Sequence, residues 1–440
     1  MKYAVQNTPR YTSYPTAPHF HAGISAAQFG QWLGLLDRHA AGSLYIHIPY
    51  CREMCWYCGC STRATRRAEP VAAYLESLLR EIDLVAATAA HRLRIQHVHF
   101  GGGTPTILSG RQMSELMARL RQHFDIATDA EIAIEIDPRV FDEALARQLA
   151  AIGINRASLG VQTFDPGVQA NINRRQPYDT VAACVETLRT HGLNRISFDL
   201  LYGLPGQTRE ICTDTVQQAL RLGPDRLSVF GYAHVPHIRR HQKLIDDGRL
   251  PDARARLGQA MVIADALIHA GYVAIGIDHY AKAEDSLARL ASEGGMRRNF
   301  QGYTTDRSDF LIGLGASAIS RLPQGYAQNS ADVRAWTREI RAGNPAICRG
   351  IELSRDDRIR GAIIERLMCH LTVDTAAVSE HYGVHFDVPD LADLEAEGLV
   401  QKDATRITIP EDCRMLARIV AARFDAHLHN STGARHSASV

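Results

Sequence analysis

Ser43-Leu44-Tyr45-Ile46-His47-Ile48-Pro49-Tyr50-Cys51-Arg52-Glu53-Met54-Cys55-Trp56-Tyr57-Cys58-Gly59-Cys60 is an apolar strand running directly into four cysteines. Cys51, Cys55 and Cys58 follow a Cys-x-x-x-Cys-x-x-Cys spacing in one short loop, close enough for three thiolates to meet a single inorganic centre. Thiolate triads of this kind suit iron–sulfur clusters. A structural zinc site closes with four ligands, and no second Cys-x-x-Cys pair follows downstream, so zinc is the weaker reading. Three protein ligands on a four-iron cube leave one iron open to a small molecule that carries an amine and a carboxylate. Thiols this dense in one loop are chemically costly to leave unliganded, which weighs against four unrelated cysteines.

Outward from that loop, strands and helices alternate. Leu44–Ile48, His97–Phe100, Glu131–Ile136, Arg156–Val161, Ile196–Leu201 and Arg226–Phe230 read as strands. The amphipathic runs Pro70–Ala87, Gly110–His123, Asp142–Ile152, Asp179–His191 and Arg209–Leu222 read as helices between them. Such alternation predicts parallel strands with crossover helices. The chemistry-bearing residues come just after strands, at what would be the catalytic rim of a parallel β/α barrel. Six units fit between Leu44 and about Pro236, so the expected fold class is α/β, a partial parallel (β/α)6 barrel. Residues 1–42 form an N-terminal arm and helix that cover the site, and residues 43–345 the barrel with an extension. Residues 346–440 form a mainly helical C-terminal domain with a short strand pair near Leu399–Ile409. The tail from His427 to Val440 is polar, the composition of a frayed end.

The 440 residues, 45% of them hydrophobic, suffice for a large core. Forty-nine basic against forty-eight acidic side chains argue against a surface that wraps nucleic acid. The N-terminus lacks a charged-then-apolar signal pattern, and the most apolar later stretch is broken by Asp265 and His269, so no membrane span is expected and the cytoplasm is the expected location. Cys184, Cys212, Cys348, Cys369 and Cys413 show no pairing pattern, as in a reducing compartment, and read as packing residues.

Several rim positions carry two readings each. Gly101-Gly102-Gly103-Thr104-Pro105 is either a tight strand–helix turn or a place where backbone approaches a ligand; it is no P-loop, since no Gly-Lys-Ser/Thr follows. Glu135 and Asp199, acids in apolar strands, need a cation or hydroxyl partner, in a core salt bridge or at a ligand. Gln162 and Arg174 have the chemistry to hold ribose hydroxyls or a carboxylate. The histidines near strand ends, His47, His97, His99, His234, His237, His241 and His279, read as hydrogen-bonding residues rather than a second metal site. Arg10, Arg175, Arg297 and Arg298 are solvated charges unless the substrate is anionic, when they become carboxylate clamps.

The cysteine spacing, the strand before it and Tyr57 beside the third cysteine resemble the radical S-adenosylmethionine (SAM) superfamily. The resemblance narrows further. Pro9-Arg10-Tyr11-Thr12-Ser13-Tyr14-Pro15-Thr16-Ala17, His47-Ile48-Pro49-Tyr50-Cys51 with the additional Cys60, Gly101–Pro105, Gly160-Val161-Gln162, Leu201–Pro205, Tyr232-Ala233-His234, Arg298–Thr305 and Ala327-Gln328-Asn329 are similar, nearly end to end, to the oxygen-independent coproporphyrinogen III oxidases (dehydrogenases) of anaerobic haem synthesis.

That resemblance implies a radical SAM barrel with a 4Fe-4S cluster on Cys51, Cys55 and Cys58, while Cys60 is a non-ligand thiol of the active site. It implies two SAM molecules, contacted by Tyr45, Tyr57, Gly102, Gly103, Thr104, Glu135, Gln162, Arg174, Asp199, Ala233 and Ile319. The implied reaction is the oxidative decarboxylation of two propionates of coproporphyrinogen III to vinyl groups, giving protoporphyrinogen IX. A 5′-deoxyadenosyl radical, formed when the cluster donates an electron to SAM, abstracts the β-hydrogen. Arg10, Arg297 and Arg298 are the candidates for the propionates. A flavodoxin- or ferredoxin-like protein as reductant and a monomeric state complete the expectation. The competing readings are a haem-binding chaperone, whose members typically lack the counterpart of Cys60 and the N-terminal arm, and a radical SAM methyltransferase acting on tetrapyrroles.

Overall fold

A computed structural model describes residue 3 and residues 6–428 of the chain; most of the polar tail, from residue 429 onward, lies outside the described residues. Helix α1 (Ala26–Gly34) precedes a regular alternation: β1 (Ala41–Ile48), α2 (Glu69–Thr88), β2 (Arg94–Gly102), α3 (Gly110–His123), β3 (Asp125–Ile136), α4 (Glu143–Ala151), β4 (Arg156–Gln162), α5 (Pro166–Asn171), α6 (Tyr178–Thr190), β5 (Arg195–Tyr202), α7 (Arg209–Leu222) and β6 (Arg226–Gly231). All six strands pair in parallel, in sequence order, as the alternation predicts.

The helices form where the apolar period dictates. In α2, Val71, Tyr74, Leu75, Leu78, Leu79, Ile82 and Val85 recur at three- and four-residue steps and are buried. Helix α3 begins at a reciprocal cap between Ser109 and Gln112, which satisfies amides that the first turn leaves open.

Beyond β6 come α8 (Ala253–His269), β7 (Tyr272–Ile275), β8 (His279–Lys282), α9 (Ser286–Ser292), a hairpin of β9 (Arg297–Asn299) and β10 (Gly302–Thr304), β11 (Phe310–Leu314), β12 (Ile319–Leu322), β13 (Gly325–Asn329), α10 (Val333–Arg341) and β14 (Ile347–Glu352). The sheet is larger than six strands: its order is β14-β13-β12-β11-β1-β2-β3-β4-β5-β6-β8-β7, open rather than closed, with His21 bridged to Gly350 on the outer side of β14. Strand β11 lies parallel to β1, placing Gly313 beside Tyr45. The boundary expected at 345/346 falls just short of β14, whose pairing with β13 keeps residues 347–352 in this sheet.

The last part holds α11 (Arg355–His370), β15 (Thr372–Asp374), α12 (Thr375–Tyr382), α13 (Ala392–Ala396), β16 (Gln401–Asp403), β17 (Arg406–Thr408) and α14 (Ala417–Ala422). It is mainly helical, and the expected strand pair is β16–β17, joined by β15. Its core takes in Tyr3, Tyr11 and Tyr14 of the arm. Tyr11 donates to Asp425 Oδ2 at 3.0 Å and the Ala426 amide to Tyr14 Oη at 3.0 Å, so the arm and the last described residues pack as one unit.

Alternation along each strand sorts the side chains. In β1, Leu44, Ile46 and Ile48 are buried at 0–1% exposure, and Ser43, Tyr45 and His47 take the other face. That second face is polar across the parallel strands and has two layers. Towards the strand starts, Glu131, Arg156, Arg226 and Asp285 form linked ion pairs, with Arg226 Nε to Asp285 Oδ1 at 2.8 Å. Towards the strand ends lie Tyr45, His99, Glu135, Ser158, Asp199 and Ser228, next to the cysteine loop.

Candidate active site

The cysteine loop leaves β1 through a brief parallel pairing of Tyr50 and Cys51 with Arg63 and Ala64. It is pinned from two sides. The Trp56 amide donates to the Ile172 carbonyl at 2.9 Å and Asn173 Nδ2 to the Met54 carbonyl at 2.9 Å. From beyond β6, His241 Nε2 donates to the Cys58 carbonyl at 2.7 Å and Gln242 Nε2 to the Tyr57 carbonyl at 3.0 Å. The same Gln242 amide donates to the Ala233 carbonyl at 3.2 Å, which ties the rim turn after β6 to the loop.

The thiols meet hydrogen-bond donors. Thr104 Oγ1 donates to Cys51 Sγ at 3.3 Å, and Arg174 Nη1 and Arg139 Nη2 donate to Cys55 Sγ at 3.5 and 3.6 Å. Both arginines pair with the single carboxylate of Asp137, in the Asp-Pro turn after β3, so one positive charge of the two remains beside Cys55. A hydrogen bond from Cys60, helped by Arg239 and Arg174, holds Cys58 down at about 7, towards the thiolate that iron ligation needs. Cys60 keeps accessible surface although chain surrounds it, as on a cavity wall.

Gly102 and Gly103 close the turn after β2. Gly102 has φ +122°, where a side chain would be strained, and a Cβ on Gly103 would stand 2.7 Å from the Tyr50 carbonyl oxygen. The Gly102 amide donates to Glu135 Oε2 at 3.1 Å and His99 Nε2 meets Glu135 Oε1 at 3.2 Å. Glu135 therefore meets an amide and an imidazole rather than an arginine; Glu131, four residues back on the same face, pairs with Arg156 in the core. His47 Nε2 donates to the Ser61 carbonyl at 2.9 Å, so its Nδ1 accepts from Tyr45 Oη at 3.0 Å, and burial keeps the ring neutral. His99 stacks on Tyr45 with ring centres 5.9 Å apart.

Asp199 has hydroxyl neighbours, Ser158 at 3.4 Å and Ser228; burial, with Glu135 close by, pushes it up to about 7. Gln162 ends β4 with φ 67°, a sparsely populated conformation of the kind that collects at functional sites. Arg174 donates to the Gly160 carbonyl at 2.6 Å, and its Nε is buried with no partner among the described residues. Ile319 begins β12, against Gly313 and hence beside Tyr45.

The structure thus gathers Tyr45, Tyr57, Gly102, Gly103, Thr104, Glu135, Gln162, Arg174, Asp199, Ala233 and Ile319 around Cys51, Cys55, Cys58 and Cys60. Sequence reading passed over Arg139 and Gln242 and read His99 and His241 only as hydrogen-bonding residues; the rim position of Arg139, just after β3, was the one available signal.

The three arginines that are candidates for the propionates have different surroundings. Adjacent residues of a strand point to opposite faces. Arg297 pairs with Glu365 at 2.8 Å and is 45% exposed. Arg298 turns inward, donating to the Arg10 carbonyl at 3.2 and 3.3 Å with its guanidinium 4.3 Å from the Tyr303 ring centre. A cleft of about 1070 Å³ opens between Tyr11–Tyr14, the hairpin and α11, and no residue of the cysteine loop lines it. Arg297 and Arg298 both line that cleft, whereas the thiols and their donors lie at the loop.

The donor set fits a 4Fe-4S cluster and SAM. No three His, Cys, Asp or Glu side chains among the described residues converge on one ion position, whereas the three loop thiols are close enough to influence one another, Cys51 beside the hydroxyls of Thr104 and Thr62 and Cys55 beside two guanidinium groups. Arg174 Nε and the cation-free Asp199 are groups that a bound polar molecule satisfies.

Residues 45–219 match the model of the radical SAM superfamily. A relative from Bradyrhizobium diazoefficiens, named oxygen-independent coproporphyrinogen III oxidase, is 49% identical over 97% of this chain and 96% of its own. One of the same name from Pseudomonas aeruginosa is 41% identical over 98% and 95%. The solved structure of coproporphyrinogen III oxidase (HemN) from Escherichia coli, described as a radical SAM enzyme, superposes with TM-score 0.91 at 38% identity, covering 96% of this chain and all of the other. Fold and cysteine loop make this a radical SAM protein, with a 4Fe-4S cluster and SAM as its cofactors. Within that class, the chain belongs to the oxygen-independent coproporphyrinogen III oxidase family.

Proposed function

We propose that this protein oxidatively decarboxylates two propionate side chains of coproporphyrinogen III to vinyl groups without oxygen, giving protoporphyrinogen IX for haem synthesis. The observation that carries the reading is the placement of the cysteine triad within one polar layer of Glu135, Asp199 and the Gly102–Gly103 turn. A bound cluster and SAM would together supply the one-electron, hydrogen-abstracting chemistry that the propionate β-carbon requires.

Cys51, Cys55 and Cys58 hold the cluster, and Arg174 and Arg139 offset its negative charge at Cys55. Tyr45, Tyr57, Gly102, Gly103, Thr104, Glu135, Gln162, Arg174, Asp199, Ala233 and Ile319 hold SAM, in two molecules. Glu135 accepts from its amine, and Asp199 from ribose hydroxyls. The arm and C-terminal domain, joined through Tyr11 and Tyr14, exclude water from the radical. Arg10 and Arg298 receive propionates. We take the protein to act as a monomer. The exposed Arg52 and Glu53 offer a small flavodoxin- or ferredoxin-like reductant an approach to the loop. No helix among the described residues is long and apolar enough to cross a membrane, and we place the protein in the cytoplasm. The test is anaerobic incubation of cluster-loaded protein with SAM, reductant and coproporphyrinogen III. Loss of carbon dioxide from two side chains is expected; retained haem or an added methyl group would point to a chaperone or a methyltransferase.

A further inference from the structure

The segment that follows β6 presents apolar and positively charged side chains to solvent at the place where it grips the cysteine loop. His241 and Gln242 donate to the carbonyls of Cys58 and Tyr57 at 2.7 and 3.0 Å. Ile238 and Leu244, on either side of them in the chain, are 58% and 60% exposed, and of the large apolar side chains described only Leu35 is more so. Between them lie Arg240 and Lys243, both exposed, whose side chains make no hydrogen bond or ion pair with another described residue. Arg239 is close enough for its charge to act on Cys58. Elsewhere along the loop, Asn173 holds the Met54 carbonyl at 2.9 Å, and Arg175, two residues on, is exposed with its side chain equally free. Arg52, in the loop itself, is exposed and bonded only to the Arg66 carbonyl, at 3.2 Å.

The acids of these stretches are fewer and engaged. Glu53 pairs with Arg66 at 2.8 Å, Asp247 meets His234 at 2.8 Å, and Asp246 accepts from the Gly248 amide at 3.0 Å. Arg52, Arg175, Arg239, Arg240, Lys243 and Arg249 thus stand against three carboxylates, on a chain whose total charge is only +1. Solvated arginines and lysines are ordinary on a surface. Set around two exposed apolar side chains, one hydrogen bond from a cluster ligand, they have the anatomy of a docking site, an apolar centre with a charged rim.

We infer that the segment from Ile238 to Leu244, with Arg52 and Arg175 beside it, is the docking surface of an acidic one-electron carrier protein; this names the partner of the site proposed above and rests on that reading. Electron transfer slows steeply with distance, so the carrier has to come to rest where little chain separates it from the cysteines. Arg52, Glu53 and Gly59 of the loop are exposed to solvent. The positive rim attracts and orients an acidic partner, and two apolar side chains are enough for an encounter that buries little area and releases quickly. In the transfer the carrier loses one electron and the cluster gains it, with no bond made or broken. A second copy of this chain fits less well, because a twofold contact would set one basic patch against another.

The test follows reduction of the cluster in the loaded protein by its absorbance and paramagnetic signal, before any porphyrinogen is added, with an acidic flavodoxin in its hydroquinone form and, separately, with dithionite. Arg175→Glu, Arg240→Glu and Lys243→Glu combined should slow reduction by flavodoxin about tenfold or more at low ionic strength, with the gap closing in about 0.5 M salt. Dithionite needs no docking surface and should reduce variant and wild type at rates within about twofold. Ile238→Ser with Leu244→Ser should slow flavodoxin about threefold or more at either salt concentration, since the lost contact is apolar. An unchanged flavodoxin rate in the charge-reversed protein, or an equal loss with dithionite, overturns the inference. So does a dimer in sedimentation that the Ile238 and Leu244 substitutions abolish. Protein that takes electrons through this surface but decarboxylates nothing overturns the proposed reaction and leaves the docking surface standing.

Discussion

Arg174 donates to Cys55 Sγ at 3.5 Å with one guanidinium nitrogen and to the Gly160 carbonyl at 2.6 Å with another. The chain after β4 thereby presses a buried cation against one corner of the cysteine triad. A cation beside a cluster sulfur favours the reduced, more negative state. Arg174→Met should therefore lower the cluster's reduction potential in an electron-paramagnetic titration and lower stability by about 1–3 kcal/mol. An unchanged potential would count against the contact.

Gly103 has no room for a methyl group: a Cβ would stand 2.3 Å from Thr62 Oγ1 and 2.7 Å from the Tyr50 carbonyl oxygen, and the latter is backbone. Gly103→Ala must push the turn away from the loop and should weaken SAM binding by at least about tenfold, with about 1–3 kcal/mol of stability lost. Calorimetric titration with SAM and thermal melting report the two effects. Wild-type affinity would remove Gly103 from the site.

Glu81 is buried in α2, accepting from Trp336, Asn329 and the Gly315 amide. Burial raises its pKa to about 7 from 4.5. The folded protein therefore holds this proton through a pH range in which the unfolded chain has released it. The contribution to stability is greatest below about pH 4.5 and falls as pH rises towards 7, by about 3 kcal/mol in all. Glu81→Gln lacks this slope, so denaturant titrations should find its deficit relative to wild type larger at pH 5 than at pH 8. A gap constant with pH would refute the assignment.

Arg297 is spent on an exposed pair with Glu365. Arg297→Ala should change stability by less than about 1 kcal/mol and leave porphyrin affinity within about twofold of wild type. A loss of about tenfold or more in porphyrin affinity would put Arg297 and Arg298 in one clamp.

The cluster loop and the parallel frame were legible because both are local. Three thiols seven residues apart end to end can meet only at one centre, and periods of two and about four residues settle which runs are strands and which helices; α3 and α7 begin and end where the pattern places them. Strands β11–β14 were not legible. They are short, three of the four carry a glycine, and β11 is fixed by pairing with β1, more than 260 residues earlier, through contacts such as Ile312 against Leu44.

The site divides along the same line. The sequence by itself determined the ligand set, the rim glycines and the acids at strand ends, since strand alternation and the rim rule assign them without distant contacts. Only the tertiary structure decided the partners of those groups. It separated Glu135, on an amide and His99, from Glu131 in its ion pair, and Arg298 from Arg297. It also brought Arg239 and His241, from beyond β6, to the cysteine loop. Charge at such a site is a sum over neighbours in space, and one-dimensional order does not contain that sum.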